Sequence, residues 1–261
     1  MFWAEQVLPY VAEASQADTI SLLASRLISY IDLTSLNDGD TVPIITNLCK
    51  KAVTPFGQVA AVCIYPRFVK LAAQQLTDAA VSVATVVNFP QGIGVIDDVL
   101  VEIKQAIADG ANEIDVVFPY QRFLLGEGVA VTEFIQQCRG ACGSKVLLKV
   151  ILETGALTSL DAIAEACRIA VMGGADFVKT STGKIATGAT LEAAATILLI
   201  IKELQPRMSR ILGLKVSGGV RELQQAAQYI ALANLIMGNH WVSARTFRIG
   251  ASQLLDKALT F

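Results

Sequence analysis

Two rhythms alternate along this chain. Short runs rich in Val, Ile and Leu predict buried strands over residues 27–33, 59–64, 81–87, 113–118, 145–151, 176–180, 211–216 and 234–237. Longer stretches with apolar residues every three or four positions predict helices over 66–77, 96–109, 131–141, 159–172, 191–204 and 221–232. In the second of these, Val99, Ile103, Ala106 and Ile107 recur at helical spacing. One more helix is expected over 17–25, ahead of the first strand. The punctuation agrees: Gly110 and Gly173-Gly174 follow helical stretches as caps, and Thr158, Ser159 or Asp161 can open one. Eight strands alternating with helices in about 250 residues fit a (β/α)8 barrel. The expected fold is therefore α/β, a TIM barrel with an extra N-terminal helix. A doubly wound sheet is the alternative, but no Gly-x-Gly-x-x-Gly fingerprint follows the first strand.

Composition narrows this picture. The 261 residues contain no Pro/Ser/Gly-rich linker and no block of like charge, so one domain over 1–261 is expected. Hydrophobic residues reach 53%, above the usual ~45–50%. No segment approaches the ~18 uninterrupted apolar residues of a spanning helix; the apolar stretch 193–201 is itself broken by Thr196. The excess is assigned to a core and to the subunit interface of a homo-oligomer, a dimer or tetramer. Glu5, Pro9 and the lack of a basic leading region argue against a secretory signal, which points to the cytoplasm. The net charge of −2, with no basic stripe, argues against nucleic acid as a partner. Five cysteines without a Cys-x-x-Cys pair read as reduced thiols, and Cys138, Cys142 and Cys167 as core filler. His240 is the only histidine, so neither a metal nor a histidine-based triad is expected, and no cofactor. The chemistry falls to Lys, Asp, Glu, Tyr or Cys.

In a barrel of this kind the active site lies at the C-terminal ends of the strands. The polar residues there form a consistent set: Asp32, Cys63, Asn88, Asp115, Lys149, Lys179 and Lys215, each beside apolar neighbours, as in Leu147-Leu148-Lys149-Val150-Ile151. One such lysine alone could simply reach solvent. Three lysines and two aspartates on successive strands would meet in one cavity, the setting in which pKa values are tuned. A second ammonium about 4 Å from Lys179, at an effective dielectric near 20, adds roughly 4 kcal/mol to its protonation, or ~3 pKa units. Lys215 could thus leave part of Lys179 as free amine, which can condense with a carbonyl to a Schiff base. Three segments suit a phosphate: Thr182-Gly183-Lys184, then Ser217-Gly218-Gly219-Val220-Arg221, and Gly250-Ala251-Ser252, expected to open the last helix.

The segments Asp32-Leu33-Thr34-Ser35-Leu36-Asn37, Cys63-Ile64-Tyr65-Pro66-Arg67-Phe68, Asn88-Phe89-Pro90, Glu113-Ile114-Asp115-Val116-Val117-Phe118-Pro119-Tyr120, Leu148-Lys149-Val150-Ile151-Leu152-Glu153-Thr154-Gly155, Asp176-Phe177-Val178-Lys179-Thr180-Ser181-Thr182-Gly183-Lys184 and Gly213-Leu214-Lys215 together resemble deoxyribose-phosphate aldolase. They occur in that family's order and reach to Gly250-Ala251-Ser252. The resemblance implies a metal-free class I aldolase of deoxyribonucleotide catabolism. It would cleave 2-deoxy-D-ribose 5-phosphate reversibly to D-glyceraldehyde 3-phosphate and acetaldehyde. It implies Lys179 as the Schiff-base lysine, Lys215 as the neighbour that lowers its pKa, Asp115 as the acid/base carboxylate and Lys149 as part of the same relay. Asp32 and Cys63 would line the pocket. Lys184, Gly218, Gly219 and Ser252 would surround the phosphate, and the three candidate segments add Thr182, Gly183 and Gly250 to the expected substrate-binding set.

Two departures from the family stand out. Val216-Ser217 replace a common Pro-Ala pair, and the Ser217 hydroxyl is expected to cap the following helix. The sequence ends at Phe261 without the terminal tyrosine of some members, which predicts slower enamine protonation or protonation by water. Two other readings stay open. A sugar-phosphate isomerase would use Asp115 as base, leaving three lysines without a task. A non-catalytic binder of phosphorylated ligands would keep the fold alone.

Overall fold

Eight parallel strands close on themselves in the computed structural model, which describes residues 2–19 and 24–260. They are β1 (Ile31–Ser35), β2 (Ala61–Ile64), β3 (Ser82–Val87), β4 (Glu113–Val117), β5 (Leu147–Ile151), β6 (Phe177–Lys179), β7 (Gly213–Ser217) and β8 (Phe247–Ala251). Each pairs with its neighbours in sequence, and β8 closes against β1 through Ile31–Ile249 and Asp32–Gly250. A two-stranded antiparallel ribbon, Val53–Thr54 with Gly57–Gln58, lies outside the barrel.

The helices follow the strands in chain order. After α1 (Phe2–Ala14) and α2 (Ala24–Ser29) come α3 (Val42–Lys51), α4 (Val69–Gln75), α5 (Ile96–Ala108), α6 (Tyr120–Leu124), α7 (Gly128–Cys142), α8 (Leu160–Gly173), α9 (Leu191–Leu204), α10 (Leu223–Met237) and α11 (Leu254–Leu259). Their ends carry local reasons to stop and start. Ser159 and Thr190 accept hydrogen bonds from Ala162 and Ala193 backbone N–H groups at the starts of α8 and α9. Glu222 and Gln225 form a reciprocal capping box at α10.

The core is divided by the barrel wall. Outward-facing strand residues such as Ile31, Leu33, Ile114, Val116, Leu148, Val150, Phe247 and Ile249 pack under the helices in one large apolar cluster. The inside holds a small cluster of Ala61, Cys63, Ala84 and Val86 with Leu36, the Phe177 ring against Arg248, and a set of buried charged side chains. The helix α1 lies across α9 and α10. That explains why α9 is apolar on almost every side: Ala193 to Leu198, Ile200 and Ile201 are all buried, some against the barrel and some beneath α1. Much of the hydrophobic excess is thus absorbed within the chain. Cys138 and Cys142 on α7 are buried in this shell, which pushes their thiols up to about 12 and about 11. Among the described residues, no helix is long and apolar enough to cross a membrane.

Three sequence-based expectations are corrected. Residues 234–237 are not the eighth strand but the last turn of α10, because Ala226, Ala227, Leu232, Ala233 and Ile236 continue one buried helical face. The eighth strand is Phe247–Ala251, where Phe247, Ile249 and Ala251 alternate with Arg248 and Gly250. Gly250 and Ala251 therefore end a strand instead of opening a helix. At the other end of the chain, residues 17–19 are not helical, residues 27–29 belong to α2, and β1 begins only at Ile31. Residues 20–23 of the helix expected over 17–25 lie outside the described residues.

Candidate active site

Seven charged side chains point into the barrel and are almost fully buried: Asp32, Glu113, Asp115, Lys149, Lys179, Lys215 and Arg248. The period of two along a strand places Glu113 and Asp115 on the same inner face of β4, and Arg248 and Gly250 on the inner face of β8. Gly250 has a specific reason to be glycine. A Cβ there would stand 3.1 Å from Lys215 Cε and 2.9 Å from Ser217 Cβ, so its absence leaves room for the lysine stem.

Asp115 is the hub. Its Oδ2 accepts hydrogen bonds from Lys179 Nζ at 2.9 Å and Lys215 Nζ at 2.8 Å, and its Oδ1 accepts one from Lys149 Nζ at 2.7 Å. Beneath it, Lys149 also meets Glu113 at 2.5 Å and Asp32 at 3.7 Å, and Lys215 meets Asp32 at 2.7 Å. Arg248 closes the floor, bonding Asp32 at 2.7 Å and Glu113 at 3.1 Å. Four cations face three carboxylates, so the cluster carries one positive charge in excess when every group is ionised.

These contacts set the protonation states. Burial alone would raise the Asp115 pKa, but Lys149, Lys179 and Lys215 hold it well below the usual carboxylate range. Burial would likewise raise Asp32, yet Lys215, Arg248 and Lys149 keep it depressed. Lys149 and Lys215 resist the pull of burial because their carboxylates outweigh it, and both are raised. Of these three lysines Lys179 alone is lowered, first by burial and then by Lys215, with Asp115 only partly opposing. Desolvation is the larger cause, and the Asp115 carboxylate opposes more strongly than the Lys215 ammonium adds.

Above this floor opens a cleft of ≈ 220 Å³ at the C-terminal ends of the strands. Lys179 and Lys215 form its base, and Thr182, Gly183, Lys184, Gly218, Gly219, Gly250 and Ser252 line its sides with Thr34, Asn37 and Arg221. The phosphate-type loops are thus brought together as expected. Gly218 and Gly219 have φ of 88° and 90°, conformations that favour glycine and turn successive residues toward the cleft. Lys184 Nζ reaches across the mouth to the Leu36 carbonyl at 2.6 Å. Asp32, Cys63, Asp115 and Lys149 lie below the cleft and do not line it. Cys63 Sγ is 3.9 Å from Asp115 Oδ2, and burial pushes its thiol up, so it stays protonated.

Some roles differ from the sequence expectation. The Ser217 hydroxyl does not cap a helix: it donates to the Ser181 carbonyl at 2.5 Å and locks β7 to the segment after β6. Asn88 is committed to structure, donating to the Val117 carbonyl and accepting from Gly94 N–H. Glu153 carries no sequence-based assignment, yet it is buried with φ of 56° and accepts hydrogen bonds from Thr182 N–H and its hydroxyl. The Thr182 hydroxyl in turn accepts from Lys184 N–H at 3.0 Å, so Glu153 shapes the turn that presents Lys184. Glu113 and Arg248 also went unassigned. A period-two reading outward from Asp115 and from Gly250 finds both.

Among the described residues no group of three or more His, Cys, Asp and Glu could hold a metal ion. The arrangement offers a lysine biased toward its free amine, an ionised carboxylate against it, ammonium donors, and a loop-lined anion cradle at one end of a small cleft.

Known proteins share this architecture. A protein from Toxoplasma gondii ME49, described as a candidate deoxyribose-phosphate aldolase, superposes with a TM-score of 0.83 at 28% identity, covering 91% of this chain and 93% of its own. One of the same description from Coccidioides immitis gives 0.78 at 27% identity, covering 99% and 97%. The tetrameric deoxyribose phosphate aldolase from Aeropyrum pernix gives 0.77 at 24% identity, covering 97% of both, and shares the fold. The sequence itself matches the DeoC/LacD family aldolase pattern over residues 26–252, from α2 to just past the last barrel strand. The chain belongs to the DeoC/LacD family of aldolases.

Proposed function

We propose that this aldolase reversibly cleaves 2-deoxy-D-ribose 5-phosphate to D-glyceraldehyde 3-phosphate and acetaldehyde through a Schiff base on Lys179. The observation that carries the reading is the pairing of a buried lysine biased toward its free amine with an anion cradle at the far side of the same cleft. The substrate needs both, an aldehyde carbon at one end and a phosphate at the other.

The amine of Lys179 attacks C1 of the open-chain sugar. Lys215, held charged 2.8 Å from Asp115, supplies a proton to the departing hydroxyl as the carbinolamine becomes an iminium. Asp115, acting through water, takes the proton of the C3 hydroxyl. The C2–C3 bond then breaks, its electron pair passes into the iminium, and the three-carbon aldehyde phosphate leaves. The enamine on Lys179 is protonated at C2, and hydrolysis of the resulting iminium releases acetaldehyde and restores the amine. Lys149 keeps Asp115 ionised and oriented. A sugar-phosphate isomerase would rely on Asp115 as a base without an imine. That reading leaves Lys149, Lys179 and Lys215, all paired to Asp115, without a chemical task, which speaks against it.

Borohydride trapping tests the reading. Incubation with 2-deoxyribose 5-phosphate, reduction and peptide mass analysis should place a stable adduct on Lys179. Substrate binding by calorimetry with no adduct would remove the covalent mechanism and leave the isomerase or a silent binder. Lys184→Ala is expected to raise KM for the phosphorylated sugar by about 10–100-fold, the loss of a charged hydrogen bond of roughly 1.5–3 kcal/mol. Its kcat, and its action on unphosphorylated 2-deoxyribose, should change little. An equal loss on both sugars would remove Lys184 from the phosphate cradle.

A further inference from the structure

The mechanism above gives no part to Arg248 and Glu113, although both are buried inside the barrel, where an unpaired charge is costly. Arg248 stands in the same register row as the two cleft lysines. It lies opposite Lys215 across β8 and β7, and Lys215 lies opposite Lys179 across β7 and β6. Three cations are therefore side by side on adjacent strands, about 4.8 Å apart at the backbone.

Their partners are unequal. Lys149 meets three carboxylates, Asp32, Glu113 and Asp115. Lys215 meets Asp32 and Asp115, and Arg248 meets Asp32 and Glu113. Lys179 meets only Asp115, through the same oxygen that serves Lys215. Arginine does not give up its proton in a protein. Two further groups face Lys179: the neutral Cys63 thiol from β2, and the Glu153 carboxyl after β5, which is engaged by Thr182. Arg248 is faced otherwise by the Phe177 ring and the Ala244 carbonyl.

We propose that Arg248, held by Glu113, is a positioning residue for the reaction: it occupies the two lower carboxylates and leaves the cluster one cation in excess, so that Lys179 is the group that releases its proton. The inference rests on the reading of Lys179 as the Schiff-base amine. It assigns the tuning of that amine to a side chain two strands away as well as to its neighbour Lys215.

The test is the pH dependence of Lys179 labelling in the intact enzyme, with acetaldehyde and cyanoborohydride, read by peptide mass. Arg248→Met should move the labelling midpoint upward by about one pH unit. That is the effect of a unit charge about 10 Å away at an effective dielectric near 20. The acid limb of kcat/KM should move with it, a loss of about tenfold below the midpoint. Glu113→Gln removes a negative charge and should move the midpoint the other way, and Arg248→Lys should restore it. A uniform loss at every pH with an unmoved midpoint would overturn the proposal and reduce Arg248 to packing. If Arg248→Met does not fold, Glu113→Gln carries the same decision: a downward shift supports the proposal and an unmoved midpoint overturns it. Absence of labelling at Lys179 in the wild type would instead sink the Schiff-base reading on which the proposal stands.

Discussion

Replacing Lys179 with methionine is expected to cut kcat/KM for deoxyribose 5-phosphate cleavage by at least about 10⁴-fold, the scale on which loss of a covalent nucleophile acts. The barrel should remain nearly as stable, within about 1.5 kcal/mol, because methionine conserves the buried volume. The charge count gives the same answer. With Lys179 neutral, Lys149, Lys215 and Arg248 balance Asp32, Glu113 and Asp115, so an apolar side chain leaves no carboxylate short of a cation. The linkage has a definite sign. The folded pKa of Lys179 lies below its unfolded value, so the unfolded chain binds more protons between the two. The wild type should therefore gain stability relative to Lys179→Met as pH rises through that window toward about 10.4. Urea unfolding at several pH values reads the slope, and a slope of the opposite sign would mean that Lys179 is held charged.

The same substitution one strand away should behave differently. Lys215→Met removes a cation shared by Asp32 and Asp115, both fully buried. Stripping one partner from a buried pair typically costs about 3–5 kcal/mol. Activity at neutral pH should fall about 10²–10⁴-fold, the range for a lost acid–base group. Part of this loss should return as pH is raised, because Lys215 is one of the two causes that lower Lys179. Stability moves in the opposite sense to that of Lys179. The folded pKa of Lys215 is raised, so its contribution is complete below about 10.4 and fades as pH climbs toward the folded value. Equal stability of the two variants in thermal unfolding would contradict the unequal charge partnership described for them.

The lysines of the site were legible in the sequence because each interrupts an apolar run: Lys149 within LLKVI, Lys179 after Phe177-Val178, and Lys215 within Gly213-Leu214-Lys215-Val216. The glycine-bearing turns were legible because positive φ and close approach leave few alternatives to glycine. The floor was hidden for the opposite reason. Glu113 and Arg248 sit at the starts of β4 and β8, where a charge reads as the solvent-facing edge of a loop. Only the closed barrel turns those positions inward. The misplaced eighth strand has the same origin. The five residues of β8 include an arginine and a glycine, whereas residues 234–237 look more strand-like and are claimed by the helical face already running through α10. The N-terminal helix lies earlier than expected, over Phe2–Ala14, where it packs on α9 and α10, and a second helix, α2, directly precedes β1.

Temperature bears on this barrel unevenly. Ion hydration becomes less favourable on heating, so the penalty for withdrawing charges from water shrinks, while apolar burial per unit area levels off. The seven charges inside the wall are the part of the molecule whose cost declines as it is warmed, and the helical jacket is the part that gains nothing further. Warming should therefore loosen the jacket before the floor, and the working geometry around Lys179 should last until the barrel as a whole gives way.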